Sequence, residues 1–523
     1  MSTILGINAF HGDSSACLLV DSKLVAAAEE ERFKRIKHWA GFPECAIKYC
    51  LKEGGLHLKD LDHVAINSDP RAHLLKKIIY TFTTRPDPRF ILERYRNKKK
   101  RTTLDKDLGN LFPNQAFNGK IHHIEHHLSH LASSYLVSPF NNAVAISVDG
   151  FGDFTSAAWG ICKDNEIRID QRVFFPNSLG IFYQAMTQFL GFPHYGDEYK
   201  VMGMTAYGEP RFINKMQELV LCKKDGTFLL NLEYFLHHNT NVDYQWDGGA
   251  PVVGNLFNVS KLERLLGFGV REKHEELEQH HFNLAHSVQR MYEEAFFNLL
   301  EASYTQYEND QLSLAGGCAM NSLANGKIFR NSPYKKVYIQ SAAGDAGGAI
   351  GAALVVASQN SETEERFHMD HAYYGPSFDD DYHQQVLKSK VTELDKKLFL
   401  TKHAAIYDPE FQRRLWEAPW QKWLGQPGYF EVKEENPKPK LIKERKKGII
   451  YHVNSWNNYF YNHTNENAED FKIDMCKDLS NQKWESYIPA KDEVLIGGLS
   501  FLNDWILRGE TSNALGKLFV KNV

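Results

Sequence analysis

Cysteine is sparse and never closely paired: Cys17, Cys45, Cys50, Cys162, Cys222, Cys318 and Cys476 include no C-x-x-C. That excludes a disulfide framework and a thiolate metal cluster, and it fits a reducing, cytoplasmic setting. Long apolar runs are lacking too. Nothing approaches the roughly eighteen uninterrupted apolar residues of a membrane-spanning helix. The amino terminus, Met1-Ser-Thr-Ile-Leu-Gly-Ile, carries no basic stretch and runs straight into a strand pattern, so no signal peptide is expected. Charge of one sign is also missing. The 61 Lys and Arg against 65 Asp and Glu give −4 at pH 7, so the whole chain has no drive toward nucleic acid or a membrane. No repeat of fixed period is visible.

What is present describes a globular protein of more than one domain. The chain has 523 residues, 43% hydrophobic and 24% charged, which predicts two to three domains. Residues 3–8 and 16–28 read as strands around the turn Phe10-His11-Gly12-Asp13-Ser14-Ser15, the second holding a hairpin at Asp21-Ser22-Lys23. Helical spacing covers 43–54, 126–137, 180–190, 276–307, 319–328 and 345–357. Buried-type strands cover 143–149 and 312–315, and 155–161 pairs with 166–174 as a hairpin. Strand pairs that feed helices, in two halves, predict an α/β architecture with mixed sheets. Residues 85–101 are strongly basic and read as a solvated helix end or loop rather than a polyanion contact. After residue 400 the texture changes. Residues 433–447 (KEENPKPKLIKERKK) read as a charged connector, 448–453 as a strand and the tail from Phe501 as helical. The expected domains are therefore 1–400 and 401–523.

Three short segments carry the chemistry. His126 and His130 are four apart, so on a helix they project from one face a turn apart, as two neutral imidazoles on one metal require. Asp149 and Asp345 each end an apolar run at a glycine-rich turn, where a carboxylate can point into a cleft. Two nitrogens and two oxygens suit one divalent ion such as iron, manganese or zinc. Taken singly, these residues read equally well as core histidines and turn carboxylates. Gly12 with Asp13, Ser14 and Ser15 offers backbone N–H groups and hydroxyls to a phosphate, and Asp149-Gly-Phe-Gly forms a second such turn. Gly316-Gly317 in front of Cys318-Ala-Met-Asn321 allows close backbone approach at a helix start. Jointly they predict nucleotide binding.

Eight segments in order over residues 1–380 carry a family resemblance: His11-Gly-Asp-Ser-Ser-Ala, Ala28-Glu-Glu-Glu-Arg-Phe33, Arg35-Ile-Lys-His38 with Gly41-Phe-Pro43, His126-His-Leu-Ser-His-Leu-Ala-Ser-Ser134, Val148-Asp-Gly-Phe-Gly-Asp153, Asp197-Glu-Tyr-Lys-Val-Met-Gly203, Gly316-Gly-Cys-Ala-Met-Asn321 and Ala342-Ala-Gly-Asp-Ala-Gly347. The chain resembles the O-carbamoyltransferases of antibiotic and nodulation-factor biosynthesis. The resemblance implies a Kae1-like domain of the actin/hexokinase (ASKHA) type, binding adenine nucleotide and a divalent metal, Fe(II) by expectation. It implies His126, His130, Asp149 and Asp345 as metal ligands. Gly12, Lys37, Gly316, Gly317 and Asn321 would meet the nucleotide or carbamoyl donor, and Glu29, Glu198 and Lys200 would line the acceptor pocket. His127 or Asp13 would take the acceptor's proton. ATP and carbamoyl phosphate are the implied substrates, with a carbamoyl-adenylate as donor and a small hydroxyl-bearing metabolite as acceptor.

The carboxyl-terminal part departs from that family. Its second, YrdC-like domain carries a Glu-Phe-Gly-Pro-Arg-Ala-Leu-Gly stretch, and this chain has no Gly-Pro-Arg. Its nearest echoes are Gly375-Pro-Ser-Phe378 and Asn513-Ala-Leu-Gly516. Residues 401–523 are therefore expected to be an atypical α+β region, with a partner subunit conceivable for donor activation. Two alternatives stand beside the enzyme reading: a nucleotide-binding partner or regulatory protein, and a threonylcarbamoyl transferase acting on tRNA. The weak net charge gives no footprint for the latter.

Overall fold

The computed structural model describes residues 2–84, 104–240, 242, 244–245, 250–360, 366–379 and 381–382. Beyond 428 it describes a series of strands with short connecting pieces. The chain divides into two compact units, Met1–Pro376 and Ser377–Val523. The basic stretch 85–101 lies outside the described residues.

The first unit is built twice over on one plan. Strands β1 (Thr3–Asn8), β2 (Ser15–Val20), β3 (Lys23–Glu29), β4 (His63–Ile66) and β5 (Lys120–His123) form a sheet in the order β3-β2-β1-β4-β5. The β1–β2 and β2–β3 pairs are antiparallel, and β1–β4 and β4–β5 are parallel. The second sheet uses β6 (Asn142–Gly152), β7 (Thr155–Lys163) and β8 (Glu166–Phe174) as its antiparallel run. Two short hairpins follow, β9 (Val220–Cys222) with β10 (Phe228–Leu230) and β11 (Tyr244–Gln245) with β12 (Val252–Val253). Then β13 (Gln311–Ala315) and β14 (Lys336–Ile339) add to β6 in parallel. The second order is β14-β13-β6-β7-β8, the first order read in reverse. This is the expected α/β duplication with mixed sheets, and the strands read at 3–8, 143–149, 155–161, 166–174 and 312–315 are present.

In each half the fifth strand leads into a helix that enters the interior. These are His126–Tyr135 after β5 and Asp345–Asn360 after β14. Both are buried over most of their circumference, as expected of helices flanked on all sides by apolar layers. They pack against each other at Gly351, where a Cβ would stand 1.7 Å from the Ser129 carbonyl oxygen, so only glycine permits the approach. One apolar core fills the space between these helices and the sheets. A second lies between β1–β4 and the helix Glu44–Glu53. A third lies between the β6 sheet and the helices Leu179–Phe189 and Gln279–Tyr307.

Three expectations are corrected. The helix predicted over 319–328 is broken into a 3-10 turn, Gly317–Met320, and short helices Ser322–Asn325 and Ile328–Asn331. Asn321 caps the second piece by accepting from the Ala324 N–H, which restarts the helix there. The connector predicted at 433–447 is instead largely strand: Gly428–Lys433 pairs antiparallel with Asn436–Glu444. Prolines are tolerated in such a two-stranded edge pair. The tail predicted as helical from Phe501 is a three-stranded antiparallel sheet of Val494–Leu502, Trp505–Ser512 and Leu515–Asn522. A short segment gains little from helix nucleation alone, and pairing overrides it. Among the described residues no helix is long and apolar enough to cross a membrane.

Candidate metal centre and cavity

The helix His126–Tyr135 starts under the control of two carboxylates. Glu125 caps it by accepting from the Leu128 N–H, and Asp153 Oδ2 accepts from the His126 N–H at 3.0 Å. Asp153 also accepts from the Asp69 N–H and the Ser68 hydroxyl. It therefore ties the β6–β7 turn to the β4 end of the other sheet. With the helix start fixed, His126 and His130 present Nε2 atoms 3.0 Å apart. Asp149 Oδ2 lies 3.1 Å from His126 Nε2 and 3.5 Å from His130 Nε2, and Asp345 Oδ1 lies 3.5 Å from each. Gly152 makes room for this ring packing, since a Cβ there would stand 2.0 Å from the His126 imidazole.

The donor set fits a divalent ion. One atom from each of His126, His130, Asp149 and Asp345 lies within 4.8 Å of the other three. A tetrahedron with arms of about 2.1 Å has edges of about 3.4 Å, close to the spacings found. Asp345 Oδ1 is buried and accepts no hydrogen bond, as an oxygen reserved for a cation would be. The outer oxygens are held: Asp149 Oδ1 accepts from the Gly317 N–H at 2.9 Å, and Asp345 Oδ2 lies 2.9 Å from His11 Nδ1. Burial opposes a charge on His130, but the Asp149 and Asp345 carboxylates outweigh it and raise its pKa to about 9. Against burial, the two imidazoles hold Asp149 well below the usual carboxylate range. The centre calls for positive charge, whether from protons or from an ion that displaces them.

Asp149 and Asp345 also line a cavity of about 780 Å³, together with His11, Gly12, Asp13, His38, Tyr183, Tyr195, Glu198, Gly317, Cys318 and Asn321. On the same lining, Asp13 Oδ1 lies 2.7 Å from His38 Nδ1. Glu198 starts the helix Glu198–Met204, and burial pushes its carboxyl up to about 7.

Other expected residues fall elsewhere. His127 does not line the cavity: it is fully buried, its Nδ1 is 2.6 Å from Ser147 Oγ, and burial with the adjacent His126 lowers its pKa to about 3. It is a neutral core histidine with no path to an acceptor. Lys37 is exposed and outside the lining. Glu29, raised to about 7 by burial and then by Glu31 and Asp13, ends β3 outside the lining, with Arg32 at 3.8 Å. Lys200 is tied to Asp197 Oδ1 at 2.6 Å. Gly316 stands behind the lining, its N–H donating to the Ala343 carbonyl. His11, His38, Asp153, Tyr183 and Tyr195 were not singled out by the sequence. Only the motif positions of His11, His38 and Asp153 hinted at them.

Comparison with known proteins gives the family of this unit. The profile described as "Carbamoyltransferase N-terminus" matches residues 3–354. An uncharacterized protein of Synechocystis, sll1178, is 34% identical over 411 residues, covering 75% of this chain and 64% of its own. The nodulation protein NolNO of Sinorhizobium fredii is 29% identical over 384 residues, covering 72% of this chain and 50% of its own. The nodulation protein NolO of Bradyrhizobium diazoefficiens is 30% identical over 256 residues, covering 48% and 42%. The chain thus spans between 42% and 64% of the length of these relatives.

Proposed function

The chain belongs to the carbamoyltransferase family by its N-terminal part, and on that premise we propose that its cavity transfers a carbamoyl group to a hydroxyl of a small metabolite. The observation that carries the proposal is the convergence of His126, His130, Asp149 and Asp345 on one point, with Asp149 and Asp345 open to the cavity. These four would hold a divalent metal, by expectation Fe(II), which when bound supplies a Lewis acid and a template beside the acyl oxygen.

The chain's own residues account for the remaining demands. The backbone of Gly12 and the Gly317–Asn321 turn face the cavity, where the phosphate and adenosine of a carbamoyl-adenylate would lie. The acceptor oxygen attacks the carbamoyl carbon, the bond from that carbon to the phosphate oxygen breaks, and AMP leaves. Asp13 receives the hydroxyl proton while His38 Nδ1 steadies its carboxylate. Aligning the two reactants counts for more here than base strength. His127, Lys37 and Lys200 drop out of this scheme because none of them lines the cavity. ATP and carbamoyl phosphate are the ultimate donors, and the residues that would form the adenylate are left unassigned.

The test uses the full chain with Fe(II), ATP, carbamoyl phosphate and a panel of sugars and hydroxylated natural products. We expect retained metal, carbamoyl-phosphate-dependent release of pyrophosphate and an acceptor heavier by one carbamoyl group. Failure to retain metal or to bind ATP would overturn the reading.

A further inference from the structure

Behind the cavity wall lies a polar chain that the transfer chemistry does not use. Glu293, on the helix Gln279–Tyr307, is 2% exposed. Lys327 Nζ donates to both its carboxylate oxygens, at 2.6 and 2.7 Å. Gln289 Nε2 donates to Glu293 Oε1 at 2.9 Å and to Asn321 Oδ1 at 3.0 Å. In return Asn321 Nδ2 and the Tyr183 hydroxyl both donate to Gln289 Oε1 at 2.9 Å. Asn321 and Tyr183 line the cavity; Gln289, Glu293 and Lys327 do not.

The direction of each bond follows from the carboxylate. Paired with an ammonium through both oxygens, Glu293 can only accept. The amide end of Gln289 that faces it must then be the NH₂, so its oxygen faces Tyr183 and Asn321. That in turn leaves Asn321 Oδ1 free of competition to accept from Gln289 and from the Ala324 N–H that starts the next helix. Without the carboxylate, both amides can flip, and the turn loses the bonds that hold it from behind. The Tyr292 hydroxyl donates to the Cys318 carbonyl and supports the same turn one residue pair earlier.

We infer that Glu293, backed by Lys327, is a positioning residue that orients Asn321 and the Gly317–Asn321 turn for an adenine nucleotide. The inference rests on the reading of that turn as a nucleotide contact. Glu293 acts through Gln289 and touches no reacting group. The pairing with Lys327 also lets a carboxylate stand at this nearly sealed position.

The experiment compares the full chain with Glu293→Met, which keeps length but removes the acceptor, and Glu293→Gln, which keeps one acceptor oxygen. Lys327 is 39% exposed, so its ammonium can turn to water in either variant and folding should survive. Three quantities are read: ATP affinity, metal content, and amide hydrogen exchange across the chain. E293M should weaken ATP binding about tenfold, the scale of one lost charged hydrogen bond. It should also speed exchange over 316–325 while leaving metal content unchanged, and E293Q should fall between. Exchange accelerated evenly through the unit would mean a structural role only and would overturn the inference. So would ATP binding that E293M leaves unchanged. If the unsubstituted chain itself takes up no ATP, the functional reading fails first and the nucleotide end of this inference falls with it.

Discussion

The two halves of the first unit share strand order, strand directions and a closing helix after the fifth strand, yet matching positions carry different chemistry. The closing helix of the first half, His126–Tyr135, offers two imidazoles, while that of the second, Asp345–Asn360, offers one carboxylate from its first residue. The turn after β1 supplies His11 and Asp13, and the turn region at the end of β6 supplies Asp149 and Asp153. Asp149 points at the histidine pair, whereas Asp13 pairs with His38 on the cavity side. His11 reaches inward from the first turn and holds the ligand Asp345 by its outer oxygen. One backbone plan thus delivers two ligands from each half, imidazoles from the first and carboxylates from the second. A duplicated fold brings the positions together, and the side chains decide which positions bind and which steady.

The largest break of that comparison is loss of a ligand. His130→Ala or Asp149→Ala should empty the centre, seen by elemental analysis. Carbamoyl transfer should fall by about 10³-fold or more, since a Lewis acid contributes several kcal/mol. Next comes Gly152→Ala. The added methyl would lie 2.0 Å from the His126 ring, so the ligand or the strand must move, at about 1–3 kcal/mol of stability with metal lost as well. Urea unfolding with metal analysis on the same samples checks both effects; an unchanged protein would show that the turn yields freely. Third, His11→Asn removes the hold on Asp345 without touching a ligand. Metal affinity should drop about 10–100-fold while one equivalent still binds at saturation, as a titration against a competing chelator would measure. If His11→Asn instead behaves like His130→Ala, the distinction between binding and supporting side chains is wrong.

Legibility in the sequence separated ligands from supports. The imidazole pair could be read because helix spacing is local, and the two aspartates because each ends an apolar run at a glycine turn. Support across the fold could not be read. His11 meets Asp345 across 334 residues, and Asp153 meets Asp69 across 84, separations that no periodicity encodes. His127 shows the opposite error. One residue from a ligand is a rotation of about 100° on a helix, which turns it into the core toward Ser147. The doubled sheet was visible as alternating strand and helix patterns. Of the C-terminal strands, the one read at 448–453 is found at Tyr451–Trp456, but the tail was misread because its apolar spacing suits a helix or a strand until partners choose between them.

The smallest predicted effect concerns the cavity wall that both halves share. Glu198 lines that cavity, and burial lifts its pKa from 4.5 to about 7. The folded state therefore binds the proton more tightly than the unfolded chain does. Stability tied to this group is fully present below about pH 4.5 and is lost as pH rises through about 7. Glu198→Gln never ionises, so it should match the wild type near pH 4.5 and exceed it progressively up to pH 7, levelling above. The gain, reduced because the side chain keeps some contact with water, should be about 1–2 kcal/mol at pH 8. Urea unfolding of the full chain at pH 4.5 and pH 8 measures it. A difference that is constant across pH would mean that packing rather than charge distinguishes the variant, and that the cavity does not keep this carboxyl protonated. A difference that grows with pH would make Glu198 a protonated hydrogen-bond donor to an acceptor below about pH 7, on the same cavity as the ionised Asp149 and Asp345.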